Sequence, residues 1–519
     1  MTSYSFIRKN NIIIIISILL VISLLTNVFY YNKTKNIYKN NSTEFYSISD
    51  DLSERILDIS IGNNTMKLNS SLLTYDSELS EAYTDKDTPI NIKISNPFPD
   101  PTIVSLNDKE LEYSKNDNTY HTKIRLDSLG KEKPLILKIK HKKQEREYKF
   151  KTIPDDFPSV NSVGDNNIDK KMFYYTNLDK TFLNDQEKDN KHSKNYIVKY
   201  DNNARVVFYK ADNHRISNFN RWEDKKGNEG YYYFQEDKNS TSVNEKSYLK
   251  GKYIILDDNY NKVDEVVPQV TNKYAEPVPR AESHDFIVLG KNHYLMMDYV
   301  SALNSSTNTA GEATYLQEQK NGEVVWEWLS SDHELFNSLE PYPGNAIKTG
   351  YSTDNLHTNS ISIDPNDNNI ILSNRNVSTI VKIDKTTGEP IWCLGGTHNQ
   401  FDMNGLDDFN YQHDATMNTN GELLLYDNGN GRPSRGLILK MDEKNKKIVS
   451  YKEIKDDVQS GIYTGSIQEL LDKYYLIGWG TQRSENTLMT VFDKENSSIK
   501  SFVTNDNTIN TYRFYAHEK

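Results

Sequence analysis

The sequence predicts an all-β protein: a six-bladed β-propeller preceded by a small β-sandwich and an N-terminal transmembrane helix. Three observations carry the prediction. The 519 residues hold 35 tyrosines against 18 phenylalanines, and tyrosine favours pleated, half-wet surfaces. Strand–turn–strand modules recur through the C-terminal part of the chain, at the spacing of propeller blades. One charge-free apolar run, Ile12 to Tyr31, lies near the start.

Residues 1–31 are the first element. Arg8 and Lys9 precede the run, which includes five consecutive isoleucines, Ile12 to Ile16. As a helix rising about 1.5 Å per residue it would span about 30 Å. No small-x-small cleavage site follows Leu25 and no lipobox cysteine is present, so the segment reads as a retained signal anchor. Lys33, Lys35 and Lys39 lie beyond it, so flanking charge alone does not set the orientation. A short N-terminus before a large body places that body on the extracytoplasmic side of a cell membrane crossed once. Residues 32–53 are polar and read as a tether.

Residues 54–154 contain short alternating segments: Ile90-Asn91-Ile92-Lys93-Ile94, Thr122 to Leu126, and Leu135 to Lys140. Turn clusters such as Asn96-Pro97-Phe98-Pro99 separate them. That rhythm predicts a small β-sandwich. His121 and His141 lie here but form no constellation.

Residues 155–519 follow a longer period. The predicted blades run through Lys171 to Tyr209, Tyr231 to Leu256, Phe286 to Trp328, His357 to Trp392, His413 to Tyr451 and Tyr463 to Val503. Val381 to Trp392 matches Leu316 to Trp326 almost position by position, each with a turn ending in Gly-Glu before a tryptophan. The starts at His284, His357, His413 and Tyr463 are 73, 56 and 50 residues apart. Blades of four strands need about 40–50 residues, and the excess is loop.

Charge narrows the function. Sixty-two Lys and Arg against 73 Asp and Glu give a net charge of −11 with no basic block, which excludes a nucleic-acid partner. The single cysteine, Cys393, permits no intramolecular disulfide and no cysteine metal cluster; it reads as a small core residue.

In a propeller, equivalent strand starts in successive blades converge on one channel. His284, His357, His413 and the Thr464 region hold that position in four successive modules. Asn359 stands two residues after His357, and strand alternation would point both side chains the same way. Arg375 follows Ser373-Asn374 at the end of the next strand. Its planar fork suits two oxygens of a sulfate or phosphate ester, and imidazoles can donate hydrogen bonds, shuttle protons or act as nucleophiles. Three histidines also suit a metal such as zinc, but a guanidinium and an amide beside them argue against a cation site. Asp414 points to the other strand face from His413, so no His–Asp dyad is implied. His293, His333, His398 and His517 fall outside the pattern and read as surface or loop residues.

The combination of Leu356-His357-Thr358-Asn359-Ser360, Ser373-Asn374-Arg375, Trp392-x-Leu394-Gly395-Gly396, Tyr411-Gln412-His413-Asp414-Ala415 and Asp427-Asn428-Gly429 resembles the bacterial aryl-sulfate sulfotransferases that use no nucleotide sulfate donor. The resemblance runs from Ser53 to the C-terminus. It implies a ping-pong reaction in which His413 attacks the sulfur of a phenolic sulfate, forms a sulfohistidine and passes the sulfuryl group to a second phenol. It further implies that His357, Asn359 and Arg375 hold the sulfate oxygens, and that His284 binds sulfate or exchanges the phenolic proton. Thr464 would make a further sulfate contact, and Tyr411 or Tyr463 would stack on the aryl ring. No metal or organic cofactor is required. The partners implied are a phenolic sulfate donor and a phenol acceptor, with the membrane held through the N-terminal helix and a homodimer left open. Gram-negative relatives carry a short-loop disulfide near the nucleophile; with Cys393 alone that maturation step cannot apply here. Those relatives are also soluble, whereas this chain reads as tethered.

Two other readings compete. Asp384-x-x-Thr387-Gly388-Glu389-x-x-Trp392 also resembles the tryptophan-docking repeat of quinoprotein dehydrogenase propellers, but it is clear in only two modules. A non-catalytic extracytoplasmic binding or sensing propeller is the alternative from another class, and the intact His357, Asn359, Arg375 and His413 set argues against it.

Overall fold

The computed structural model describes residues 56–518 apart from 62–63, 70–73, 80–88, 96–101, 126–134, 155–156, 165–167, 169–171, 180–194, 238–248, 277, 305–308, 341–354, 430, 458 and 507. The anchor expected over residues 1–31 and the tether over 32–53 lie outside the described residues. Among the described residues no helix is long and apolar enough to cross a membrane. The chain divides into two compact units, Met1–Leu129 with Pro134–Asp155, and Gly130–Lys133 with Asp156–Lys519.

The first unit holds two five-stranded sheets. One pairs Pro89–Ser95 with Thr119–Arg125 antiparallel, setting Ile94 opposite Tyr120. The other pairs Ile103–Leu106 with Leu135–His141, setting Val104 opposite Ile139 and Leu106 opposite Leu137. All six side chains are buried. Apolar cross-strand pairs of this kind are what stabilise a sheet with one covered face. Thr74–Leu79 joins Gln144–Pro154 in parallel.

The second unit is all-β apart from two short helical turns, Ser330–Asp332 and Glu334–Ser338, among its described residues. Six sheets of four or five strands follow one another along the chain. The third to fifth are simple meanders, beginning with Phe286–Gly290, Thr358–Ile363 and His413–Met417. The second begins with Ile216–Glu223 and the sixth with Ser466–Leu470. The first sheet takes its edge strand from the far end of the chain. Phe514–Glu518 pairs antiparallel with Met172–Leu178, Tyr174 lying opposite Ala516. At the other edge of the series, Val160–Gly164 adds a fifth strand to the sixth sheet by pairing with Ser498–Thr504. Both ends of the second unit are thereby tied into sheets that local sequence builds elsewhere.

The apolar core lies in layers between consecutive sheets. Leu295, Leu316, Ile361, Leu372 and Cys393 fill one layer, Ile371, Trp392, Ala415 and Leu437 the next, and Leu424, Tyr426, Ile467 and Ile477 another. The strands are covered on both faces, so inner segments such as Thr358–Ile363 are buried almost throughout and their alternation is muted. Burial also pushes the Cys393 thiol up to about 12, the behaviour of an inert core thiol.

Polar side chains stitch the leading strands to one another. The Ile361 N–H donates to Asp285 (2.9 Å), Ala415 to Ser360 (3.1 Å), Ile467 to Asp414 (3.0 Å) and Phe514 to Ser466 (3.0 Å). His517 bonds Asn220 (2.7 Å), and the Asn218 amide donates to the Ser283 and His284 carbonyls (both 2.8 Å). The links run from first sheet to second, and so on from sixth back to first. Within this ring sits Arg513, buried, its guanidinium on Asp285 at 2.9 Å and on the Asn359 carbonyl at 2.9 Å, with Asp414 at 3.8 Å.

Two of the four histidines expected on the surface or in loops, His293 and His517, are placed otherwise. His293 lies in a strand and pairs with Glu318 at 2.6 Å. His333 lies in the bend between the two helical turns, as expected, and stacks on Trp328 with centroids 5.2 Å apart. His517 belongs to the closing strand, where burial, followed by the Arg221 guanidinium, pulls it down to about 4. The strand that recruits it, Met172–Leu178, lies more than 300 residues away in sequence, beyond the reach of local pattern.

Candidate functional site

His284, His357 and His413 each stand where a leading strand begins. His413 is the first residue of its strand, and His357 comes immediately before Thr358. Arg375 follows Asn374, and its N–H donates to the His357 carbonyl at 3.0 Å, which ties the two ends of one hairpin together. The backbone here is unusual. His357 (φ 49°), Tyr411 (φ 56°), Asp414 (φ 54°) and Thr464 (φ 60°) all adopt left-handed conformations, which cost energy in non-glycine residues and cluster at functional sites. Beside Thr464, Gly465 has φ 107°, and a Cβ there would lie 2.4 Å from the Tyr426 ring.

Register slips between Thr358 and Ser360 and between His413 and Thr416. Such bulges re-aim side chains. The expected alternation of His357 and Asn359 therefore does not hold as argued, because His357 precedes the strand with a left-handed φ and Asn359 lies in the irregularity. The Asn359 amide donates to the Gln412 carbonyl at 2.8 Å, while its own oxygen is buried without a hydrogen-bond partner. One amide hydrogen and that oxygen remain.

The His284 and His357 rings meet edge to face, centroids 4.7 Å apart and planes at 82°. Tyr299 and Tyr512 flank His284 at 6.1 and 6.2 Å. The Arg375 guanidinium lies over the Tyr411 ring at 4.7 Å and the Tyr463 ring at 5.3 Å, a stacked arrangement that favours arginine over lysine. Both tyrosines expected to meet an aryl group thus hold the cation, while Tyr463 remains exposed.

The Nδ1 of His413 lies 2.6 Å from the Asn428 side-chain oxygen and 3.0 Å from the Tyr411 carbonyl. The Asn428 amide nitrogen donates to the Gly461 carbonyl (2.7 Å) and the Thr464 carbonyl (2.8 Å). Two acceptors on that nitrogen fix which way the amide faces, so its oxygen accepts and His413 Nδ1 carries the proton. In the neutral ring the Nε2 lone pair is then free. Burial is the largest influence holding His413 well below the usual imidazole range, followed by Arg375; His284 and His357 add to it, while Asn428 opposes it. Those charges act on His413 because the four side chains share one region. Thr464 reaches this network through its carbonyl, and its hydroxyl donates to the Thr511 carbonyl at 3.3 Å.

His284 is held differently. Its Nδ1 lies 2.6 Å from the carboxylate of Glu282, which is wholly buried. Asp285 and Asp414, each following a site histidine, turn away to Arg513 and to the next strand. Sequence reasoning missed Glu282, the role of Asn428, Tyr299 and Tyr512. Only Asn428 lay within a recognised motif, and a carboxylate two residues before a histidine was the signal for Glu282. Among the described residues no group of three or more His, Cys, Asp or Glu side chains is placed to hold a metal ion.

Comparison with solved structures finds loose likenesses. The crystal structure of a nidogen/laminin complex matches at 9% identity and TM-score 0.37, over 66% of this chain and 98% of that one. The β-propeller domain of Myceliophteria thermophila Cps50 (Swd1) matches at 12% and 0.33, over 59% and 80%. Apo AztD from Citrobacter koseri matches at 9% and 0.30, over 67% and 98%. At these scores the likenesses carry no argument about the site. No curated protein matches the chain. A family model described as arylsulfotransferase (ASST) matches residues 165–512, which is more than half of the sequence and spans every residue of the histidine cluster. The chain belongs to the arylsulfotransferase (ASST) family.

Proposed function

We propose that this protein is a six-bladed propeller enzyme that moves a sulfuryl group from a phenolic sulfate ester to a phenol through a sulfohistidine on His413. The observation that carries the reading is the Nδ1 bond of His413 to an amide oxygen whose orientation is fixed. It leaves a neutral ring with its Nε2 lone pair available to attack sulfur. As the Nε2–S bond forms, the S–O bond to the donor breaks and the phenolic oxygen leaves with the electron pair, as phenolate or, where His284 hands it a proton, as phenol. The sulfated ring keeps its Nδ1 proton and gains positive charge, which the Asn428 and Tyr411 oxygens accept. Arg375 offers its fork to the sulfate oxygens as negative charge shifts onto them, and His357, Asn359 and Thr464 complete the oxygen-binding set. A second phenol then gives up its proton, to His284 or to water, its oxygen attacks the sulfur and the S–Nε2 bond breaks, returning the electron pair to His413. No metal or organic cofactor takes part in this scheme.

The rest of the chain serves to place this site. Residues 1–31 act as a signal anchor crossing the cell membrane once, residues 32–53 as a tether, and residues 54–154 as a small β-sandwich ahead of the catalytic propeller of 155–519. The body stands on the extracytoplasmic side, where small phenols and their sulfates reach it; a homodimer is compatible with this arrangement.

The test uses the full-length protein with 4-nitrophenyl sulfate, with and without added phenol, beside His413→Ala. Nitrophenol release that depends on phenol and disappears in the variant is the expected result. Release that ignores phenol would mean hydrolysis. No release from folded protein across a range of aryl sulfates would overturn the reading in favour of a binding module.

A further inference from the structure

The two best-defined histidines of the cluster are backed by groups of different charge. His413 rests on a neutral amide; His284 rests on a carboxylate. Glu282 is wholly buried and its backbone is held opposite Lys250 in the second sheet. One carboxylate oxygen lies 2.6 Å from His284 Nδ1. The other accepts the backbone N–H groups of His284 (2.9 Å) and Asp285 (3.3 Å). The carboxylate is therefore aimed by the same turn that carries the ring. A neutral acceptor can only choose the tautomer. A buried carboxylate also compensates the positive charge of a ring that holds a proton on each nitrogen.

We propose that Glu282 is a positioning residue that makes His284 the proton exchanger of the transfer, leaving His413 as nucleophile. This rests on the reading given under Proposed function and decides between the two roles open to His284. In the donor half, the His284 Nε2 proton passes to the phenolic oxygen as its bond to sulfur breaks. In the acceptor half, the incoming phenol gives its proton back to Nε2 as its oxygen bonds sulfur and the S–Nε2 bond of His413 breaks. Proton and electron pairs balance over the two halves.

The experiment follows the donor half-reaction of the full-length protein in single turnover, without acceptor, using two donors. 4-Nitrophenolate leaves readily without a proton; the phenolate from phenyl sulfate does not. Glu282→Gln is expected to slow phenyl sulfate about 100-fold and 4-nitrophenyl sulfate less than about threefold, the general-acid contribution being lost only where it is needed. The half-saturating donor concentration should stay unchanged for both. In a His284→Asn background, adding Glu282→Gln should slow neither donor further, since paired effects of residues acting as a unit do not add. If Glu282→Gln does not fold, Glu282→Asp, which draws the carboxylate back, is expected to show the same selective loss. Equal loss with both donors, no loss, or additive losses in the double variant would overturn the proposal. A wild-type chain that releases neither phenol defeats the parent reading and this one together; a wild-type chain that transfers while Glu282→Gln fails the donor comparison defeats this one alone.

Discussion

His413 shows how much chemistry one well-held proton decides. The Asn428 oxygen accepts the hydrogen bond from Nδ1–H, and the Gly461 and Thr464 carbonyls hold the amide in place. Asn428→Ala leaves Nδ1–H to the Tyr411 carbonyl at 3.0 Å and loosens the hold on the ring, and the donor half-reaction should slow on the order of 10²-fold, read as the nitrophenol burst. The lowered basicity of His413, caused first by burial and then by Arg375, sets a pH expectation. In the proposed reaction the attacking form of His413 is neutral, so protonation is expected to inhibit. The burst rate should stay level from neutral pH down through 6.5 and fall only as pH drops through the lowered value. A burst that is half lost near pH 6.5 would contradict it. The same shift acts on stability in the same direction. Below about 6.5 the unfolded chain binds a proton that the folded ring refuses, so the His413 contribution is present above that pH and lost as pH falls.

At the scale of elements, the leading strands are joined by side chains as well as by packing. Asp285, Ser360, Asp414 and Ser466 each accept a backbone N–H from the next sheet's leading strand. Arg513, just before the closing strand, is the cation on which Asp285 and Asp414 converge. Burial alone would lower its proton affinity, but Asp285, Tyr515 and Asp414 outweigh that and hold it well above the usual guanidinium range. Removing one partner from a buried ion pair leaves the other charge stranded, at a cost of about 3–5 kcal/mol. Arg513→Leu should therefore lower the unfolding free energy by that order, read from denaturant titration, whereas Arg221→Leu should cost far less, since the carboxylates facing Arg221 are exposed. Equal small effects would mean that the ring of links does not depend on Arg513.

For the whole molecule, closure comes from joining distant segments. Phe514–Glu518 completes the sheet begun at Met172–Leu178, and Val160–Gly164 extends the sheet that ends at Ser498–Thr504. Layers of apolar side chains between consecutive sheets fix their order. The proposed anchor belongs to this scale. Full-length protein should sediment with membranes and resist extraction by carbonate, and a chain lacking residues 1–31 should appear in the soluble fraction with its sulfotransfer intact. A full-length chain recovered entirely in the soluble fraction would remove the anchor from the account.

Strand periodicity and turn residues were legible because they are local. Ile90 to Ile94, Thr122 to Arg125 and Val381 to Ile383 all lie in strands where alternation or an apolar run placed them. His284, His357, Arg375 and His413 were legible as candidates because polar residues at equivalent strand ends need a reason to be there, and the family motifs coincide with them. By itself the sequence determined the β class, the recurring module and the membership of the histidine cluster. The tertiary structure alone decided which histidine rests on an amide and which on a carboxylate, that left-handed turns and bulges override strand alternation at Asn359, and that Arg513 and His517 belong to the closing segment. The physical reason is common to all three. Each depends on a hydrogen bond or strand pairing between residues that only folding brings together, or on a backbone irregularity that such pairing imposes, and no local period encodes either.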